Sequence, residues 1–166
     1  MTGPLVIASR FCGPAGSANG GYFAGMVAAR AGVAGFIVPD LPFDESAELR
    51  GALETQGLAL VQMVTPVTAP QRLEQVCASS QGFVYAVTMT GTTGKNVAVP
   101  PDVTRYLDTV RSRSPVPVCA GFGIRSREQL ELLRDHVDGV VIGSALVEVL
   151  ERGADPARWL GDLRGR

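Results

Sequence analysis

Short apolar runs rich in Val, Ile and Leu recur along the chain at 4–9, 34–39, 58–64, 82–87, 116–121 and 138–143, with amphipathic stretches between them. No other feature constrains the fold as strongly. Near-continuous apolar strands alternating with helices are the pattern of a parallel sheet covered on both faces. Their starts are spaced by 30, 24, 24, 34 and 22 residues, the rhythm of repeated βα units and not of a propeller or a helical solenoid. The spacing predicts helices over 19–31, 44–56, 70–78, 101–112, 126–134 and 144–151, and a last one near 156–163. Pro70 and Pro101 stand where a first helical turn tolerates proline. Ser126 precedes Gln129 by three residues, the arrangement of a capping box.

Six such units make two architectures possible. A complete (β/α)8 barrel needs about 250 residues, and 166 residues fall two units short of it. The sheet is therefore either open and doubly wound or an incomplete barrel, in each case as a single domain over residues 1–166. Both designs bind ligands at the C-terminal ends of the strands. The loops there after the fourth, fifth and sixth runs are rich in glycine: TGTTGK (90–95), GFG (121–123) and GS (143–144), the last opening into ALVEVLE. Glycine lets backbone N–H groups approach an anion, and Ser144 at a helix start adds a hydroxyl and the positive end of the helix dipole. Three such loops on consecutive strand ends describe a phosphate cradle. The spacing of Gly91 and Gly94 is too short for a P-loop.

Composition narrows the chemistry. With 46% hydrophobic and 19% charged residues, the chain is a folding sequence. Its formal charge of −1 offers no broad attraction for nucleic acid or an anionic membrane. No apolar run reaches roughly eighteen residues, and the start lacks a signal-peptide pattern, so the chain reads as soluble and cytoplasmic. Cys12, Cys77 and Cys119 are spaced for neither a disulfide scaffold nor a metal site. They read as buried free thiols. His136 is the only histidine, which excludes a His-rich metal site.

Four segments carry a resemblance. GFIVPDLPFDES (35–46), GFVYAVTMTGTTG (82–94), PVPVCAGFGIRSREQ (115–129) and GVVIGSALVEVLE (139–151) resemble the α subunit of tryptophan synthase, in that family's order and spacing, from about residue 29 to the C-terminus. The resemblance implies a (β/α)8 barrel whose third to eighth strands are present. It also implies retro-aldol cleavage of indole-3-glycerol phosphate to indole and glyceraldehyde 3-phosphate, no cofactor in this chain, and a pyridoxal-phosphate β subunit as partner. By the same resemblance Gly94, Gly123, Gly143 and Ser144 match the family's phosphate contacts. Tyr85 matches a tyrosine near the reacting centre, and Asp40 an aspartate facing the ligand mouth. Thr93 and Gly94 match a loop that closes over substrate, and Phe122 a residue lining the indole pocket.

Two departures accompany the match. The resemblance implies a catalytic glutamate and an assisting aspartate before the third strand, and this sequence has no carboxylate at the matching place. Residues 1–27 diverge, and FCGPAGSANGGYFAG (11–25) resembles the opening segment of some hotdog-fold, thioesterase-like proteins. Three functions stay open: the family's lyase reaction, a non-catalytic module that binds a phospho-ligand or associates with itself or a β subunit, and a different lyase using Lys95 as a Schiff-base amine.

Overall fold

The computed structural model describes residues 32–88, 101–121 and 123–165. The first predicted strand (4–9), the first predicted helix (19–31) and the loop 90–95 lie outside them. Five strands form one sheet in the order β1-β2-β3-β4-β5. They are β1 (Gly35–Ile37), β2 (Ala59–Val64), β3 (Val84–Val87), β4 (Val118–Gly121) and β5 (Gly139–Val141). This strictly sequential order decides between the two architectures. A doubly wound sheet reverses its strand order at a switch point, and none occurs among these five. The fold is α/β, of the incomplete (β/α)8 barrel class.

The described residues fall into two compact units. The first holds residues 32–36 and 40–60. Its helix α1 (Ser46–Glu54) follows a single 3-10 turn at Phe43–Glu45. The buried Ser46 hydroxyl donates to the Phe43 carbonyl at 2.6 Å, which joins the two. The helix ends where the Leu58 N–H reaches the Leu53 carbonyl and the Gly57 N–H reaches Glu54, both at 3.0 Å. This closure needs a left-handed residue, and Gly57 supplies it at φ 67°. The Ala59 N–H then donates to the Ala34 carbonyl at 3.0 Å.

The second unit holds residues 37–39 and 61–165. Here β3 pairs in parallel with β2 and with β4, and β4 with β5. The register aligns Met63, Tyr85, Cys119 and Gly139 in one row, and Val64, Ala86, Ala120 and Val140 in the next. Because side chains alternate along a strand, these rows point to opposite faces. Val64, Val84, Ala86, Val118 and Ala120 are fully buried on the second face. Helices α2 (Pro70–Ser79) and α3 (Pro101–Arg113) bury Leu73, Val76, Cys77, Leu107 and Val110. Fully burying each such Val or Leu contributes about 1.5–3 kcal/mol, far more than helix propensity could. On the first face Val61, Tyr85 and Val87 form a cluster flanked by Met63, Phe83 and Val141.

Helices α4 (Arg127–Leu133), α5 (Ser144–Glu151) and α6 (Pro156–Arg164) complete this unit. The capping box at Ser126 and Gln129 forms as the sequence predicts. Asp155 caps α6 by accepting from the Ala157 N–H at 2.8 Å, with Pro156 in the first turn. Strand β4 starts two residues later than the apolar run 116–121 suggests. Pro117 has no N–H for the ladder, although its carbonyl still accepts from the Val84 N–H at 2.8 Å.

Candidate functional site

In the second unit the C-terminal ends of β2 to β5 lie along one edge, because the strands are parallel. Thr65, Thr88, Gly121 and Ile142 stand just at or beyond these ends. At β2 the chain turns at once. The Thr68 hydroxyl accepts from the Thr65 N–H and the Thr65 carbonyl accepts from the Thr68 N–H, both at 3.0 Å. At β3 the buried Thr88 holds its neighbour by two bonds, its N–H and its hydroxyl both donating to the Gly121 carbonyl at 2.9 and 2.8 Å. That pair fixes where β4 hands over to its glycine loop.

Tyr85 reaches the same point from the strand face. Its side chain is buried in the cluster with Val61 and Val87, and its hydroxyl and ring edge occupy the space that a Cβ on Gly121 would need. Gly121 is thus required by a close approach and not by its backbone angles. Burial pushes the Tyr85 phenol above its ordinary value of 10.0, so at neutral pH the group is an uncharged hydroxyl.

Beyond Gly121, Gly123 adopts φ 81°, the left-handed region that glycine enters freely. Ile124 then turns inward and is buried, and the Gln129 side-chain oxygen accepts from the N–H groups of Arg125 at 2.8 Å and Ser126 at 3.2 Å. After β5, Gly143 and Ser144 are exposed and Ala145 is buried. The helical hydrogen bonds of α5 begin with Leu146 and Val147, whose N–H groups donate to the Gly143 carbonyl at 2.9 and 3.1 Å. The amides at the very start of the helix have no acceptor within it and carry the positive end of its dipole. Gly123 and the pair Gly143–Ser144 therefore follow neighbouring strands β4 and β5, each able to present backbone amides to an anion.

Of the other residues singled out by sequence, Asp40 lies in the first unit, exposed in the turn after β1. Thr93, Gly94, Lys95 and Phe122 lie outside the described residues. Among the described residues at the ends of β2 to β5 there is no carboxylate, and no group of His, Cys, Asp or Glu among the described residues could hold a metal ion. An open hollow of about 410 Å³ lies at the other end of β5, where Leu130, Arg134, Asp138 and Leu163 line it. No helix among the described residues is long and apolar enough to cross a membrane.

Sequence reasoning missed the ion pair beside this edge. Arg125 donates to Glu148 through both terminal nitrogens, each at 2.8 Å, joining the loop after β4 to helix α5. The partners are separated by 23 positions on different elements, so no local pattern pairs them.

Most of the chain is similar to known proteins. A family model described as tryptophan synthase alpha chain matches residues 6–160. The chain is 44% identical over 124 residues to the tryptophan synthase alpha chain of Carboxydothermus hydrogenoformans, covering 75% of this chain and 46% of the relative. It is 46% identical over 138 residues to that of Solidesulfovibrio magneticus, covering 83% and 54%. Among solved structures, tryptophan synthase from M. tuberculosis superposes with a TM-score of 0.72 at 35% identity, covering 86% of this chain and 53% of that one. The tryptophan synthase α2β2 complex of Pyrococcus furiosus gives 0.73 at 32% identity, covering 84% and 58%. The chain spans about half the length of the curated relatives it matches. The family match begins at residue 6, so it takes in most of the segment 1–27 that the sequence set apart as divergent. The likeness of 11–25 to hotdog-fold proteins gains no support from these comparisons.

Proposed function

The chain belongs to the tryptophan synthase alpha chain family, and on that premise we propose that it carries the phosphate-holding part of a site for indole-3-glycerol phosphate. The observation that carries the proposal is the pair of glycine-bearing ends on adjacent parallel strands, Gly123 after β4 and Gly143–Ser144 opening α5. The resemblance to the family assigns Gly94 to the same phosphate. Backbone N–H groups and the helix dipole hold the phosphate without a cationic side chain.

The rest of the substrate extends from that anchor along the strand ends. Tyr85 presents an uncharged hydroxyl within the apolar cluster, and the resemblance to the family assigns Phe122 to the indole end. By the resemblance to the family, Thr93 and Gly94 are assigned to a loop that covers the bound molecule. In the family reaction, the bond between indole C3 and the glycerol chain breaks as one proton is delivered to the ring carbon and another leaves a glycerol hydroxyl. Positioned carboxylates do this work. The described ends of β2 to β5 supply none. Their contribution is to bind and orient, and a β subunit of tryptophan synthase is the partner to which indole would pass.

A second reading is a module that binds the phospho-ligand without turning it over, which the glycine-bearing ends of β4 and β5 would serve equally. Thermal unfolding of the 166-residue chain with and without indole-3-glycerol phosphate tests the shared part of both readings. A ligand that binds only the folded state adds about 2.7 kcal/mol at a hundredfold excess over Kd. An upward shift supports the phosphate site, and an indifferent transition overturns it. Release of indole then selects the lyase, and binding without release selects the module.

A further inference from the structure

The Arg125–Glu148 pair lies where the two glycine-bearing strand ends must be held together. Arg125 stands two residues after Gly123. Glu148 stands four residues after Ser144, one helical turn down the same face of α5. The two terminal guanidinium nitrogens each engage one carboxylate oxygen, Nη1 with Oε2 and Nη2 with Oε1, both at 2.8 Å. This two-pronged geometry is more directional than a single contact. The far side of the loop is already fixed, because the Gln129 side chain accepts from the Arg125 and Ser126 N–H groups and Ile124 is buried. The loop after β4 is therefore tied to α4 on one side and to α5 on the other.

Glu148 has a second partner at longer range, the Arg152 guanidinium at 4.0 Å one turn further along. Arg152 also donates from Nε to the Glu148 carbonyl at 3.0 Å. Arg125 and Glu148 are both about half exposed. Their charges offset each other, which leaves Arg125 engaged with Glu148 and unsuited to being an anion ligand in its own right.

We propose that Arg125 and Glu148 are positioning residues that clasp the loop carrying Gly123 to the N-terminus of α5, so that both sets of amides meet one phosphate. The proposal rests on the phosphate-site reading given above. An anion that must gather two independent segments spends part of its binding free energy on ordering them, and a clasp formed beforehand removes that cost.

The test compares wild type with Arg125→Gln, Glu148→Gln and the charge-exchanged double variant R125E/E148R. Two quantities are read on the whole chain: the Kd for glycerol 3-phosphate by calorimetry, and amide hydrogen exchange at residues 123–125 and 143–145 without ligand. Each single variant is expected to weaken binding by about two- to fivefold, the range of an exposed pair of good geometry. Each is also expected to speed exchange at both segments, and the exchanged pair to recover most of both effects. Weakening by Arg125→Gln alone, with Glu148→Gln neutral, would make Arg125 a direct ligand and overturn the clasp. Unchanged exchange in both single variants would overturn it as well. If wild type fails to bind while exchange still responds to both substitutions, the clasp stands and the phosphate reading falls.

Discussion

The hydroxyl of Tyr85 rests against the backbone of Gly121, in the space where any side chain at that position would begin. The two residues sit on neighbouring parallel strands, on the same face, and Tyr85 is held there by Val61 and Val87. From the end of the same strand as Tyr85, Thr88 donates two hydrogen bonds to the Gly121 carbonyl. Replacing Gly121 by Ala must therefore move either a buried ring or a strand end. Gly121→Ala is expected to cost roughly 1–3 kcal/mol, the usual range for overpacking, as measured by urea unfolding. Adding Tyr85→Ala removes the clash, so the double variant should lose less than the two single losses added together. Strict additivity would show that the contact is not formed in solution.

Asp138 joins three elements of the second unit. One carboxylate oxygen accepts from the Val118 N–H at the start of β4, and the other from Arg111 on α3, each at 2.9 Å. Val118 is fully buried, so its amide has no ready substitute acceptor. Asp138→Ala is expected to destabilise by about 1–3 kcal/mol, the cost of an unpaired buried donor. Asp138→Asn keeps an acceptor for Val118 and should lose less. Equal losses in chemical denaturation would place the effect on the Arg111 pair instead.

Tyr106 on α3 buries its hydroxyl without a hydrogen-bond partner among the described residues. Burial, with a smaller contribution from the nearby Cys77, drives its phenol far above the ordinary value. Tyr106→Phe removes the unsatisfied oxygen while keeping the ring. The variant should gain about 1 kcal/mol, seen as a higher urea midpoint at unchanged slope. A loss of stability would reveal a partner for that hydroxyl in solution.

The Arg125–Glu148 pair has a defined pH dependence. The hydrogen bond from Arg125, with the charge of the guanidinium, holds Glu148 below its ordinary value of 4.5. A carboxylate whose folded value is depressed contributes fully above the unfolded value, and its contribution disappears as pH falls through the folded one. Wild type and Arg125→Gln should therefore differ in Tm at neutral pH and converge as the pH falls below 4.5. The carboxyl carbon resonance of Glu148 should titrate at higher pH in the variant. An identical titration in both proteins would show the pair to be open in solution.

Much of the scaffold was legible because its signals are local. Pro70 at a helix start, the Ser126–Gln129 capping box and the apolar runs of β2 to β5 depend on residues only a few positions apart. Boundaries moved where one atom intervened, as at Pro117, whose missing N–H delays β4. The glycine loops were legible too, since Gly123 and Gly143–Ser144 directly follow their strands. What the spacing left open was the choice between a doubly wound sheet and a barrel, because both use the same βα unit.

The sequence by itself determined the elements found among the described residues, the Ser126 cap and the glycines that follow β4 and β5, because hydrophobic period, proline and glycine act within a few residues. Only the tertiary structure decided the sequential strand order, the meeting of Tyr85 with Gly121, and the pairing of Arg125 with Glu148. Each of these depends on which residues stand side by side across strands or between separate elements. That is set by strand register and by the packing of separate elements, which no short stretch of chain encodes.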